Sequence, residues 1–238
     1  MPKAKNKKPS KILIKLSGET LSNDKFVFDF KKINDITKEI KEIYKLKVKI
    51  GIVVGGGNIF RGRMIEHNEI SQVDSDTMGM IATILNGLCL ESIFKKNGMK
   101  AKALATVDIS GVVEKYNNKK AIEYWNNGEI LIFCGGTGNP FFTTDTAATL
   151  KALEMNADVV LKTTQVDGIY NKDPNKYKNA KKYKTISYKD ALDKKLKIMD
   201  LTAFALAMEN SVPIRVFKNQ KGNLIKVVRG AEIGTKVF

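Results

Sequence analysis

Cysteine and histidine are almost missing from the 238 residues: two cysteines, Cys89 and Cys134, and one histidine, His67. That set is too small for a disulfide framework, a Cys/His zinc site or a Cys–His nucleophile pair. Both cysteines lie in apolar runs, NGLCLES and ILIFCGG, and read as small buried hydrophobes. Arginine is nearly as scarce, with four (Arg61, Arg63, Arg215, Arg229) among 41 basic residues. No run of about 18 apolar residues occurs, so no membrane span is expected. The opening MPKAKNKKPSKILIKLSGE has lysines but no apolar core of signal-peptide length, and a cytoplasmic place is expected.

What is present is an ordinary globular composition, 43% hydrophobic and 28% charged. The length suits one large domain, read as 11–238 behind a basic arm at 1–10. The net charge of +16 first suggests anionic partners. It is spread through the chain as lysine, with denser stretches at Lys3, Lys5, Lys7, Lys8 and Lys11 and from Lys172 to Lys197. These read as solvated surfaces, and no nucleic acid is required. Half of the arginines, Arg61 and Arg63, flank one glycine cluster.

Strand-like runs alternate with helical patterns. Ile12–Leu16 and Val48–Val54 read as strands around a helix at Phe30–Tyr44, where Ile33, Ile36, Ile40 and Ile43 recur at helical spacing. A long helix is expected over Asp76–Lys96, then strands at Ala101–Thr106 and Glu129–Cys134 around a short helix near Lys119–Asn126. Thr146–Met155 reads as a helix, Asp158–Thr164 as a strand, and Tyr188–Lys194 and Asp200–Asn210 as helices. Pro213–Phe217 is a late strand, and the chain's end is expected to return as a short edge strand. This alternation predicts an α/β fold, a three-layer α/β/α sandwich around a mainly parallel sheet.

In such sheets ligands bind beyond the carboxyl ends of the strands. Four of those ends are unusual: Lys15-Leu16-Ser17-Gly18-Glu19, Gly55-Gly56-Gly57-Asn58, Gly135-Gly136-Thr137-Gly138-Asn139, and Thr163 to Asp173. One glycine cluster is most often a tight turn; several at successive strand ends favour phosphate binding, because glycine lets backbone N–H groups approach an anion. The GxxxxGK[ST] loop is absent, as are HRD and DFG, and GGGNIF and GTGNPF carry Phe60 and Phe141 where a dinucleotide loop has its third glycine.

KLSGE, GGGNIFRG, DTMGM, GGTGNPFFTTD and VDGIYNKDP, in this order from about Lys11 to Thr235, resemble the bacterial uridylate kinases, a branch of the amino-acid kinase fold family. The resemblance implies transfer of the ATP γ-phosphoryl group to UMP with Mg²⁺, in a homohexamer. The cation is expected to arrive with ATP and keep waters, with no metal site built from protein residues alone.

Phosphoryl transfer is mostly positioning and charge stabilisation, so fixed cations and amides matter most. Lys15, inside ILIKLSG, is expected to stabilise the transferred group, and Arg61 offers a planar fork to phosphate oxygens. The resemblance gives Asp145 the job of orienting the active-site cations; a helix cap is its plain alternative. Leu16, Ser17, Gly18, Gly57, Thr164, Tyr170 and Asp173 match the family's ATP side, although Tyr170 also fits as a packed loop residue. Gly56 and Asp76 belong with UMP, Asp76 reading equally as a helix cap or first-turn acid. Thr137, Gly138, Asn139, Pro140, Phe141, Phe142, Thr143 and Thr144 combine hydroxyls, an amide and aromatics that suit a base and sugar. At least one of the two phenylalanines is expected to be a core anchor.

UTP is expected to inhibit by occupying the substrate pocket. GTP activation is expected to be weak or absent, because Leu21-Ser22-Asn23-Asp24-Lys25 lacks glycine and Glu91 stands where GTP-responsive relatives carry a cation. Three alternatives remain: a kinase of the same fold acting on an amino-acid carboxylate or carbamate, a basic nucleic-acid-binding module, and a silent nucleotide sensor.

Overall fold

The computed structural model describes residues 8–62 and 69–238. Arg63, His67 and most of the basic arm, with Lys3, Lys5 and Lys7, therefore lie outside the described residues.

The strands are β1 (Lys11–Leu16), β2 (Lys49–Val54), β3 (Ala101–Ala105), β4 (Glu114–Lys115), β5 (Ile130–Cys134), β6 (Val159–Thr164), β7 (Thr185–Ile186), β8 (Ile214–Lys218) and β9 (Thr235–Val237). The helices are α1 (Phe30–Lys45), α2 (Gln72–Lys96), α3 (Asn118–Asn126), α4 (Thr144–Glu154), α5 (Tyr188–Asp193), α6 (Leu201–Glu209) and α7 (Asn223–Val228), with a 3₁₀ turn at Gly18–Leu21. The strands form one sheet in the order β4-β3-β5-β2-β1-β6-β8-β9-β7, parallel except where β9 runs antiparallel to β8.

Central strands of a parallel sheet are buried on both faces, which is why β1 and β2 read as near-continuous apolar runs. Ile12, Ile14 and Leu16 face one core with Ile33, Ile40 and Ile43 of α1 and Ile84, Leu90 and Phe94 of α2. Leu13 and Val53 face the other core, with Trp125 of α3, Ala148 of α4 and Phe204 of α6. Each fully buried isoleucine or leucine contributes about 1.5–3 kcal/mol. Gly51 has no Cβ because one would sit 2.8 Å from Leu13 Cδ1 and 3.4 Å from the Trp125 ring. Helix α1 starts where Asp29 caps it, accepting the Lys31 and Lys32 N–H groups at 2.9 and 3.2 Å. Cys134 is fully buried, which pushes its thiol up to about 12; Cys89 is half-buried.

Three expectations need correction. The strand at the chain's end, β9, is interior, because the two-residue β7 pairs with its outer side. Helix α2 begins a turn earlier than expected, with Ser71 as its cap (Oγ accepts the Asp74 N–H at 3.1 Å) and Asp74 in the first turn. Asp76 is therefore neither cap nor first-turn acid. Helix α2 is also long and apolar enough, by length and composition alone, to cross a membrane. Here it packs on β3 and β5, with Ala82, Thr83, Asn86 and Gly87 buried.

Candidate active site

The carboxyl ends of β1, β2, β5 and β6 share one edge of the sheet. Lys15 on β1 and Lys162 on β6 are register partners, so both side chains leave the sheet on one face. Side by side, two ammonium groups repel. Asp145, in the first turn of α4, sits between them with Oδ1 3.2 Å from Lys15 Nζ and Oδ2 2.5 Å from Lys162 Nζ. The side chains are only 12–14% exposed. Burial pulls the Lys162 ammonium below the ordinary lysine range, and the Asp145 charge opposes that. Asp145 Oδ1 is buried and accepts no hydrogen bond among the described residues. The group carries one excess positive charge, to which the N-terminal end of α4 adds a partial one. That is an environment for anionic oxygens.

Asp145 does not cap α4. Thr143 does, its Oγ1 accepting the Asp145 N–H at 3.0 Å while its hydroxyl donates to Asp200 Oδ2 at 2.5 Å. Asp200 also takes the Thr146 hydroxyl at 3.1 Å and caps α6 through the Ala203 N–H at 2.8 Å, locking α6 to the start of α4. Lys162 and Asp200 escaped the sequence reading. The signal for Lys162 was of the kind that exposed Lys15, a lysine inside an apolar strand, here VVLKT.

A cavity of about 250 Å³ opens beside this edge. Of the expected residues, Gly56, Gly57, Asp76, Asn139, Phe142 and Thr144 line it, joined by Gln72, Met80 and Thr83 of α2. Thr137, Gly138, Pro140, Phe141 and Thr143 do not. Asp76 points across the cavity: Oδ2 accepts the Phe141 N–H at 2.7 Å and Oδ1 the Gln72 amide at 2.8 Å. Phe141 holds a positive φ of 69°, a conformation that costs a bulky residue about 1–3 kcal/mol. Phe141 is 72% exposed and Phe142 47%, so neither is a core anchor. The strained turn that carries them faces outward.

The glycine turns are braced from below. A Cβ on Gly18 would lie 2.7 Å from Gly55 O and 2.9 Å from Gly57 N, so only glycine lets the ends of β1 and β2 meet. Asn86, fully buried on α2, donates to Gly55 O at 2.8 Å and to Asn58 Oδ1 at 2.7 Å. Gly57, by contrast, lines the cavity and has open space where a Cβ would be. Sequence reading missed this amide pair: Asn58 sits in the GGGNIFRG motif, but Asn86, 28 positions on, lies in an apolar helix with no signal of its own.

Arg61 reaches the same edge but is engaged. Its Nε donates to Gly57 O at 2.7 Å and its terminal nitrogen pairs with Glu19 at 2.9 Å. Leu16 is buried in the core, and the Ser17 carbonyl accepts the Thr20 N–H and hydroxyl at 3.0 and 2.6 Å. Thr164 ends β6, Tyr170 and Asp173 lie on the segment that leaves it, and all three are outside the cavity lining. Thr164 Oγ1 donates to Val166 O at 2.7 Å, Tyr170 to Asp167 at 2.5 Å, and Asp173 Oδ1 accepts the Asn175 N–H at 2.9 Å. Glu91 is paired with Lys95 at 2.7 Å, which offsets its charge.

The profile of the amino acid kinase family matches residues 10–218. The chain is 45% identical to the uridylate kinase of Alcanivorax borkumensis, over 100% of this chain and 96% of the relative. It is 49% identical to the uridylate kinase of Bacteroides thetaiotaomicron, over 97% and 98%. Among solved structures, the UMP kinase of Bacillus anthracis superposes with a TM-score of 0.94 at 34% identity, covering 97% of this chain and 96% of that one. The UMP kinase of Ureaplasma parvum gives 0.91 at 35% identity, covering 96% and 98%.

Proposed function

This chain belongs to the amino acid kinase family, and from that premise we propose that it transfers the γ-phosphoryl group of ATP to UMP, giving UDP and ADP. The observation that carries this reading is the pair of buried lysines bridged by Asp145, which do not line the cavity themselves but stand next to it, Asp145 following the lining residue Thr144. A UMP phosphate oxygen attacks the γ-phosphorus while the bond to the β–γ bridging oxygen breaks. Lys15 and Lys162 stabilise the negative charge spread over the transferring group, and Asp145 holds both ammonium groups at its position. No general base is needed, since the acceptor oxygen is already anionic.

UMP occupies the cavity, with Asp76 toward the ribose and Gly56 and Gly57 presenting amides to the phosphates. Thr137 to Thr144 surround the base, Asn139, Phe142 and Thr144 from the lining and Phe141 from above. ATP lies over Lys15, Leu16, Ser17 and Gly18, with Thr164, Tyr170 and Asp173 along its nucleoside. Arg61 exchanges Glu19 for a phosphate. An exposed ion pair is worth only about 0–1 kcal/mol, so that exchange costs little.

Among the described residues there is no cluster of three or more His, Cys, Asp or Glu suited to a metal, and Asp145 is bracketed by two ammonium groups. This donor set fits a Mg²⁺ carried by the phosphates of ATP, with waters completing its shell. When bound, the ion neutralises charge on the β- and γ-oxygens.

The protein works in the cytoplasm, as a single domain over 11–238, and as a homohexamer. Met78, Ile81 and Leu85, exposed along one side of α2, support burial against another copy. UTP inhibits by filling the UMP cavity. GTP activates weakly or not at all, an expectation that now rests on the glycine-free 21–25 segment more than on the paired Glu91. An assay of ADP release with UMP, CMP, dTMP, glutamate and aspartate as acceptors tests the central reading. Turnover with UMP alone is the expected result; turnover with an amino acid would replace it by the carboxylate-kinase reading.

A further inference from the structure

The opposite edge of the sheet, about 17–20 Å away along the strands, holds a second cavity. Its volume is again about 250 Å³, and it lies among the N-terminal ends of β1, β6 and β8 and the segment after α7. Arg215 on β8 and Lys236 on β9 line it and are direct cross-strand partners. Like charges placed directly opposite on one face destabilise a sheet. At the catalytic edge Asp145 separates the equivalent lysine pair; here, among the described residues that line the cavity, the one acid is Asp158.

Arg215 is half-buried, makes no ion pair within 4.0 Å among the described residues, and donates one long hydrogen bond, to Ile233 O at 3.4 Å. Burial pulls its pKa below the ordinary arginine range, and the field of Glu232 opposes that. Lys8 adds a third cation, its side chain lying over Gly230. The acid on the cavity wall, Asp158, has Oδ2 occupied by the Ser10 N–H at 2.7 Å and by the Ser10 hydroxyl and Lys11 N–H at 3.0 Å each. Three cations thus face Asp158, whose Oδ2 is already engaged, and the more distant field of Glu232.

We propose that this cavity is a second anion site, which takes the phosphate group of a small ligand between Arg215 and Lys236. Arg215 offers the planar donor fork, Lys236 and Lys8 the point charges, and the bound anion relieves the cross-strand repulsion. The site lies apart from the catalytic edge, so ligands at the two edges bind together.

The test uses the full chain with the catalytic cleft filled by UMP and a non-hydrolysable ATP analogue. Calorimetric titration with inorganic pyrophosphate is expected to show one further equivalent bound, weakened by added salt. Arg215→Gln and Lys236→Gln should each reduce that affinity about tenfold or more while leaving turnover with UMP unchanged. A parallel titration with CTP identifies the source of the phosphate: tighter binding than pyrophosphate, lost in Lys236→Gln, assigns a nucleotide tail, and weaker binding assigns a free inorganic anion. If Arg215→Gln fails to fold, Lys236→Gln decides. Absence of the further equivalent, or binding that Lys236→Gln leaves unaltered, overturns the proposal.

Discussion

Asp76 Oδ2 accepts the Phe141 N–H at 2.7 Å, joining the second turn of α2 to the loop that follows β5. The bond fixes the far wall of the cavity and holds Phe141 at its positive φ. Asp76→Ala removes a charge-assisted hydrogen bond worth about 1.5–3 kcal/mol. We expect the KM for UMP to rise about 10–100-fold, with the KM for ATP nearly unchanged. Initial rates with each nucleotide varied in turn check this; equal increases in both would count against Asp76 as a UMP contact.

Phe141→Gly separates the strain of that turn from the job of its ring. Glycine relieves about 1–3 kcal/mol of backbone strain, against about 0.5–1 kcal/mol of added unfolded-state freedom. With Phe141 72% exposed, little packing is lost. The melting temperature should hold or rise slightly while the KM for UMP increases. A sharp loss of stability would mean the ring is a structural element after all.

Lys15→Ala should lower turnover about 100-fold or more, near 2.7 kcal/mol of transition-state stabilisation, with a smaller effect on UMP binding. Single-turnover measurements are the right readout, because they isolate the chemical step. Near-normal turnover would remove Lys15 from its assigned role.

Lys162 gives a pH test with a definite sign. Burial lowers its folded pKa beneath the usual 10.5, so on raising the pH its charge disappears earlier than that of an ordinary lysine. The charge is the useful form, so turnover should decline on the alkaline side below that value. Lys162→Arg keeps the cation at all accessible pH and should move the decline upward or abolish it. An unchanged alkaline limb in this variant would assign the decline to another group.

Asn86→Ala removes a fully buried amide and takes the donor away from Gly55 O and Asn58 Oδ1, while Asn58 Nδ2 keeps its bond to Val27 O at 3.1 Å. A loss of about 2–3 kcal/mol in urea unfolding is expected. Turnover should fall as well, since the glycine turn loses its brace.

Much of this architecture was legible before any coordinates, and the reasons are local. ILIKL ending in Ser17-Gly18, and VKIGIVV ending in three glycines, announce buried parallel strands that open onto turns. The isoleucines of α1 recur on one face. What escaped has weak local signals. β4 and β7 are two residues each, too short for a period, and α7 starts behind Gly222 without a side-chain cap. α2 is apolar on most sides, so its start could be found only from the Ser71 cap inside a polar stretch. The outward placement of Phe141 depends on a left-handed turn that an aromatic residue does not advertise. The Asn58–Asn86 pair spans 28 positions and exists only once α2 lies under the loop.

Helix α2 is one uninterrupted 25-residue rod that carries Asp76 near one end and Met78, Ile81 and Leu85 along its outer side. Whatever rests on that outer side also leans on the cavity wall to which we assign the acceptor. Dilution, detergent or a bulky change at Leu85 should therefore be felt first as poorer capture of the monophosphate, well before the sheet itself gives way.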